Sequence, residues 1–306
     1  MDSIFQQPWW LDAVAPNQWG AVVVNQGGAI VARMPYVIKK QYGLTAISMP
    51  PLTQTLGPWL RPSKAKSYKK ISEQKELMNA LIAQLPPVDY FCQCFSPNIK
   101  NWLPFYWAGY QQTSHYTYRI EDLSDYEKIW SDFSSNTRKN IKKAEKQVVI
   151  RNDLGIDKLL GIINLTFKRQ NMKMPYSDDL IKRLDIACTE KNARKMFFAE
   201  DSLGRIHAVG YFVWDSNTTY LLLGGGDPEL RNSQAYSLLV WEAIKFASTV
   251  SKVFDFEGSM VEPIEFFFRS FGATQTSYCL ISKMCSRRMK IAYHGRELFR
   301  TAANRK

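Results

Sequence analysis

Two carboxylates, Asp255 and Glu257, alternate with Phe254 and Phe256 at the end of a short apolar run that begins at Val253. Alternate side chains of a strand face opposite ways, so this spacing puts both carboxyls on one face and both rings on the other. Two like charges held together raise the proton affinity of one of them, a property that suits a general base acting near neutral pH. Glu257 lies beside Gly258 and Ser259 at the C-terminal end of the strand, where α/β clefts open, and is the preferred base, with Asp255 as its partner. The competing reading is a solvated strand face over a phenylalanine core. Tyr278, on a later strand, is a candidate general acid, with core packing as its alternative. Arg269, after Phe266-Phe267-Phe268, could hold a carboxylate or phosphate through two parallel hydrogen bonds, or be an ordinary surface arginine.

Upstream, Tyr220 to Leu223 is an apolar run stopped by Gly224, Gly225 and Gly226. Helical spacing of apolar residues returns from Gln234 to Ala247, with Leu239, Ala243 and Phe246 on one face. Strand, glycine-rich turn, helix and strand make a unit long enough for a parallel crossover. Exposed N–H groups before a helix attract phosphate, so Gly224, Gly225, Gly226, Arg231, Asn232, Ser233 and Gln234 are the candidate phosphate-binding residues. The competing reading is that the glycines only turn the chain.

Basic residues are the second signal. The 306-residue chain has a formal net charge of +12, which points to a polyanionic partner without choosing among nucleic acid, lipid head groups and phosphorylated substrates. Arg138, Lys139, Lys142, Lys143 and Lys146 fall in one predicted helix with Glu145 as the one opposing charge, and Arg138, Lys139 and Lys142 are taken as candidate polyanion contacts. A second basic group is Lys64, Lys66, Lys69 and Lys70, and a third crowds residues 286–306, where apolar side chains among the bases would suit an anionic membrane surface.

Other chemistry finds no support. Cys92 and Cys94 share a strand face without a nearby histidine and read as core packing. No G-x-S-x-G motif is present, and His115, His207 and His294 lack ligands at metal spacing, so no metal is expected. Five cysteines without scaffold spacing, an N-terminus unlike a signal peptide and no apolar run of ~18 residues predict a cytoplasmic protein with at most peripheral membrane contact.

A short helix after Pro8 leads to a hairpin around Asn25-Gln-Gly-Gly, further strands, a Pro-rich loop, a helix over 72–85 and strands at 90–95 and 115–120. Helices are expected at 126–146 (broken near Ser134-Ser135-Asn136), 159–170 and 177–190, the last capped by Ser177. Strands follow at 195–200, 207–214 and 219–223, then the unit described above, a short helix or turn at 266–271 and a last strand at 276–283. The predicted fold is α+β, mixed α/β, in two lobes of antiparallel strands followed by a crossover helix. The predicted bounds are 1–122, 123–285 and a basic tail, 286–306.

Four passages carry a family resemblance: SSNTRKNIKKAEKQVVI, IHAVGYFVWDSNTTYLLLGGGDPELRNSQAYSLLVWEAIKFA, VFDFEGSM and EFFFRSFGATQ. Their order resembles the GNAT acyltransferase fold, in the branch of the Fem-like peptidoglycan aminoacyl transferases and related polysaccharide-pathway acyltransferases. FQQPWWLDAV, ARMPYVIKK and PPLTQTLGPW resemble the degenerate first lobe of that family. The resemblance implies two tandem GNAT-like lobes and transfer of an acyl group, acetyl or aminoacyl, to an amine of a cell-wall precursor or a nucleotide- or lipid-linked sugar. It implies acetyl-CoA or aminoacyl-tRNA as donor and no tightly bound cofactor.

The match also departs from the family. Its pyrophosphate loop, Arg/Gln-x-x-Gly-x-Gly/Ala, falls on Arg231 to Tyr236, where Gln234 and Tyr236 replace the small residues. Side chains there would crowd a pyrophosphate approaching the backbone, which favours a donor other than acetyl-CoA. The alternative reading is an inactive GNAT-fold protein that binds RNA or anionic lipid.

Overall fold

The computed structural model describes residues 3–258, 260–291 and 293. Its chain divides into two compact units, one essentially residues 4–115 with the segment from Ser277 onward, the other residues 116–276.

In the first unit, α1 (Pro8–Val14) starts on proline, whose missing N–H would be unpaired in a first turn anyway. β1 (Trp19–Gln26) and β2 (Ala29–Gln41) form the expected hairpin. Gly27 and Gly28 give its turn the positive φ, 57° and 78°, that a tight reversal needs. β3 (Leu44–Ser48) pairs antiparallel with β2. The Pro-rich loop holds a two-residue strand, β4 (Trp59–Leu60), paired with Ala32 and Arg33 on the edge of β2 opposite β1. The crossover helix α2 (Ser67–Gln84) then brings β5 (Tyr90–Cys94) parallel to β3. A short α3 (Leu103–Trp107) leads into β6 (Gln111–Ile120). Phe91, Phe95, Phe105 and Tyr110 pack edge to face with ring centroids 4.9–5.3 Å apart and form the centre of this core.

The second unit opens with α4 (Tyr126–Asp132) and α5 (Ser135–Ala144), capped by the side chains of Asp125 and Ser134. β7 (Val149–Arg151), a strand with no clear sequence signal, precedes α6 (Ile156–Arg169) and α7 (Asp178–Glu190). β8 (Arg194–Glu200), β9 (Ile206–Trp214) and β10 (Thr218–Gly226) form an antiparallel meander with β7 at its edge. Helix α8 (Ala235–Ala247) crosses over to β11 (Val253–Asp255), parallel to β10, and β11 pairs antiparallel with the end of β6. α9 (Glu262–Arg269) follows, then β12 (Thr274–Met284). Nine of the thirteen α8 residues are buried, so the helix lies within the core, packed on Phe212, Phe254 and α5 residues Ile141 and Ala144. Its Trp241 anchors a ring cluster with Trp130 and Phe133.

Each unit is thus a mixed, mostly antiparallel sheet: a meander, a helical crossover to one parallel strand, and a final antiparallel partner. Fold class and two-lobe architecture agree with the sequence reading. Four local expectations are corrected. The glycines at 224–226 do not form a turn; they are the end of β10, paired with Gly210, Val209 and Ala208 of β9. The strand at 253 ends at Asp255, so Glu257 is not on it. α5 ends at Ala144, so Lys146 is not on the helical face of Lys139, Lys142 and Lys143. The last strand, expected within the second lobe, pairs with β5 and from Ser277 counts with the first unit. Ser259 and tail residues 292 and 294–306 lie outside the described residues.

Candidate active-site cleft

The cleft arises where two parallel strands part. β10 and β11 pair at three positions only, Thr218 with Val253, Thr219 with Phe254 and Tyr220 with Asp255. Beyond that point β10 carries a register irregularity between Leu221 and Leu223, while the chain after β11 turns through left-handed conformations at Glu257 (φ 59°) and Gly258 (φ 45°). Among the described residues, β10 has no ladder partner on that edge after Tyr220. A cavity of about 1000 Å³ fills the gap, lined by residues 221–226 and 256–258, the first turn of α5, the last turn of α6, the 3-10 turn Arg231–Ser233 and the face of α9. Such a gap exposes strand N–H groups to a ligand, and N–H groups of that kind can receive a developing oxyanion.

Close packing explains the glycines. A Cβ on Gly224 would collide with the Tyr236 hydroxyl, one on Gly225 would meet Thr166 Oγ1 at 2.6 Å, and one on Gly226 the His207 carbonyl at 3.0 Å. The Gly226 N–H donates to Thr166 Oγ1, and that hydroxyl donates back to the Gly226 carbonyl, both at 3.1 Å. Thr166 thereby stands in for a strand partner and ends the open edge.

The loop before α8 keeps its shape without glycine. Gln234 caps α8 at φ 61°, a conformation that costs most side chains ~1 kcal/mol or more. Ser233 is buried as a brace, donating to the Leu230 carbonyl at 2.8 Å, whereas Arg231 and Asn232 are exposed. Tyr236 does not crowd the loop as the sequence implied. Its ring turns into the cleft, stacks on Phe267 with centroids 5.3 Å apart, and covers Gly224; burial pushes its hydroxyl well above the usual tyrosine range.

The two carboxylates have different environments. Asp255, 2% exposed, accepts from the Thr117 hydroxyl and from the Glu257 N–H at 2.8 Å, and its other oxygen lies 3.6 Å from Arg119 Nε. Held from three sides, it braces the left-handed turn at Glu257. Glu257 lines the cavity, and its Oε1 is shielded from solvent without a hydrogen-bond partner. Burial first, and the negative charge of Asp255 second, raise its carboxyl well above the ordinary glutamate range. Gly258 allows the turn to close, because a Cβ there would press on the Tyr116 carbonyl and on Thr117 Cα.

The structure gathers Glu257, Gly224, Gly225, Gly226, Arg231, Asn232, Ser233 and Gln234 around one cavity. Tyr278 is not among its lining residues; it belongs to the first unit, its ring 5.6 Å from that of His115. Arg138 is turned back on its own chain, its guanidinium donating to the carbonyls of Trp130, Ser131 and Phe133 at the end of α4. Lys139 and Lys142 are exposed on α5 outside the lining, and Arg269 is paired with Glu265 at 2.9 Å. Sequence reasoning missed Asn136, Thr137 and Asn140 on α5, Thr166, Arg169 and Gln170 on α6, and His207 on β9. The α5 set had a signal in its i, i+4 asparagines, masked by the lysines on the other face.

Residues 131–258 match the family model described as Acetyltransferase (GNAT) domain. No curated protein matches the chain by sequence. Among solved structures, FemX aligns over 90% of this chain and 91% of its own, with a TM-score of 0.69 at 10% identity. The C-terminal domain of a putative lysylphosphatidylglycerol synthetase from Agrobacterium fabrum aligns over 94% and 91%, with a TM-score of 0.56 at 11% identity. A tandem GNAT protein from the clavulanic acid biosynthesis pathway aligns over 90% and 86%, with a TM-score of 0.52 at 8% identity. At these identities the likeness is one of fold.

Proposed function

We propose, from the match of residues 131–258 to the GNAT acetyltransferase domain model, that the protein is an acyltransferase moving an aminoacyl or acetyl group to an amine of a cell-wall precursor or of a nucleotide- or lipid-linked sugar. The observation that carries the reading is the parting of β10 from β11 with Glu257 beside the opening. In this mechanism Glu257 removes a proton from the acceptor ammonium or from the attacking amine. The amine nitrogen bonds to the acyl carbonyl carbon, and the open edge of β10 holds the resulting oxyanion by its N–H groups. The carbon–oxygen or carbon–sulfur bond to the donor then breaks, and the leaving group takes up a proton. The raised proton affinity of Glu257 suits a base working near neutrality.

GNAT domains use acetyl-CoA as co-substrate, but two features favour an aminoacyl donor. Gln234 stands where the family loop has glycine, and one fold neighbour is named as a lysylphosphatidylglycerol synthetase. Glu257→Gln is expected to lower transfer by about 100-fold or more with the fold intact, measured with acetyl-CoA and with charged tRNA as separate donors. Unchanged turnover removes Glu257 as base. Binding of neither donor, together with salt-sensitive binding of bulk RNA, would replace the enzyme reading by polyanion binding through the exposed lysines of α5.

A further inference from the structure

Tyr236 lines the cleft, and its hydroxyl bonds to no protein group among the described residues. Tyrosine hydroxyls in packed surroundings ordinarily find a partner. This oxygen is not sealed off from solvent as Glu257 Oε1 is, so a ligand in the cavity can reach it. Where it sits gives the ligand's chemistry.

A Cβ on Gly224 would collide with this hydroxyl, so the oxygen rests against the Gly224 α-carbon. The amides of β10 make that position informative. The N–H and carbonyl of Gly226 both meet Thr166, on the edge that β11 leaves open, whereas the Asp227 N–H turns the other way, to the His207 carbonyl of β9. Residues of an antiparallel strand present their amides to alternate edges, and pairing with β9 runs without a break from Gly224 to Gly226. The Gly224 N–H therefore faces the open edge, where β10 has no ladder partner among the described residues. A backbone donor and a side-chain donor, neither engaged by the protein, thus meet at one residue of the cleft wall.

The phenol is held in place before any ligand arrives. Its ring stacks on Phe267 with centroids 5.3 Å and planes 30° apart, and Phe267 packs in turn on the fully buried Phe271 at 5.1 Å. Burial keeps the hydroxyl protonated well beyond the pH at which an amine attacks. The tyrosine stands where the family loop has a small residue, and the missing side chain of Gly224 leaves it room.

We propose that the Tyr236 hydroxyl and the Gly224 N–H together form the oxyanion site of the cleft, both donating to the acyl oxygen as the nucleophile bonds to the carbonyl carbon. The phenol keeps its proton throughout. The negative charge on that oxygen collapses back into the carbonyl as the carbon–oxygen or carbon–sulfur bond to the donor breaks, and the leaving group takes up the proton lost by the nucleophile. A donor fixed where charge develops lowers the barrier without tightening substrate binding. The inference rests on the cleft being an acyl-transfer site, but it concerns a group other than Glu257 and can stand or fall apart from it.

The test uses the full chain, acetyl-CoA and charged tRNA as separate donors, and hydroxylamine as the attacking amine, read as hydroxamate formed. Hydroxylamine is already unprotonated in mildly alkaline buffer, so its attack does not call for a base. Tyr236→Phe removes an oxygen that bonds nothing in the protein and keeps the ring on Phe267, so it should melt as the wild type does. With the donor that supports transfer it should lower kcat about 100-fold with KM little changed. A wild-type kcat in Tyr236→Phe, or a loss confined to KM, overturns the oxyanion site while Glu257 stands. The expected loss with hydroxylamine upholds the site even where Glu257 proves not to be the base. Hydroxamate from neither donor in the wild-type protein overturns both.

Discussion

Glu257 and Asp255 show how two residues of one type acquire opposite duties from their surroundings. The sequence placed them on one strand face as a pair, and that face would have made them interchangeable. The strand ends between them because Glu257 adopts a left-handed backbone, which no spacing rule reveals in a glutamate. Asp255 is consumed by Thr117, Arg119 and the Glu257 N–H, which leaves Glu257 as the carboxyl open to the cleft. Its proton affinity is higher folded than unfolded, so its contribution to stability is fully present below the ordinary glutamate range and is lost as pH rises through the raised folded value. Glu257→Gln should therefore melt at a higher temperature than the wild type, by a margin that grows as pH rises above the ordinary glutamate range, while activity is lost; a calorimetric pH series checks this. The wild-type transfer rate should climb with pH along a limb lying above the usual glutamate range, read from a pH–rate profile. For Asp255, Asp255→Asn should lower thermal stability, because it removes the charge facing Arg119 in a buried site.

Among the elements, β10 was legible in part. Its apolar start and its glycines stood out, but an unbroken Gly-Gly-Gly reads as a turn, and only the neighbours of the strand show otherwise. Tyr236, Thr166 and the His207 carbonyl come so close to the three α-carbons that side chains are excluded. Tyr236 was legible as a departure from the family loop but not in its effect, since its direction depends on Phe267, thirty-one residues later. Gly224→Ala should push the phenol off Phe267 and destabilise the protein by about 1–3 kcal/mol. Adding Tyr236→Phe removes the colliding oxygen and should recover part of that loss; a double-mutant cycle by denaturant unfolding measures the coupling, and additive effects would disprove the contact. α5 shows the same limit. Its lysines were prominent, yet the face that lines the cleft is Asn136, Thr137 and Asn140, whose polarity alone does not distinguish a site from a solvated helix turn.

For the whole molecule, mixed α/β class, two lobes and the repeated meander-and-crossover plan were legible, because strand and helix periods differ and each crossover needs its helix. The sequence boundary near 122 was drawn from chain order, whereas β12 answers to pairing: Leu280 to Met284 lie opposite Cys94 to Tyr90, and Ile281 is fully buried in the first unit's core. A fragment of residues 1–122 should therefore stay largely unfolded by circular dichroism, its β5 edge bare, and cleaner folding of that fragment would show that β12 is dispensable. The same strand has a consequence during synthesis. β5 ends at Cys94 and waits for β12, which begins at Thr274. At a ribosomal pace of roughly 5–20 residues per second, that wait lasts about 9–36 s. The first unit completes its fold last, after the second unit has emerged, and over that interval an open strand edge is what a nascent-chain chaperone would meet.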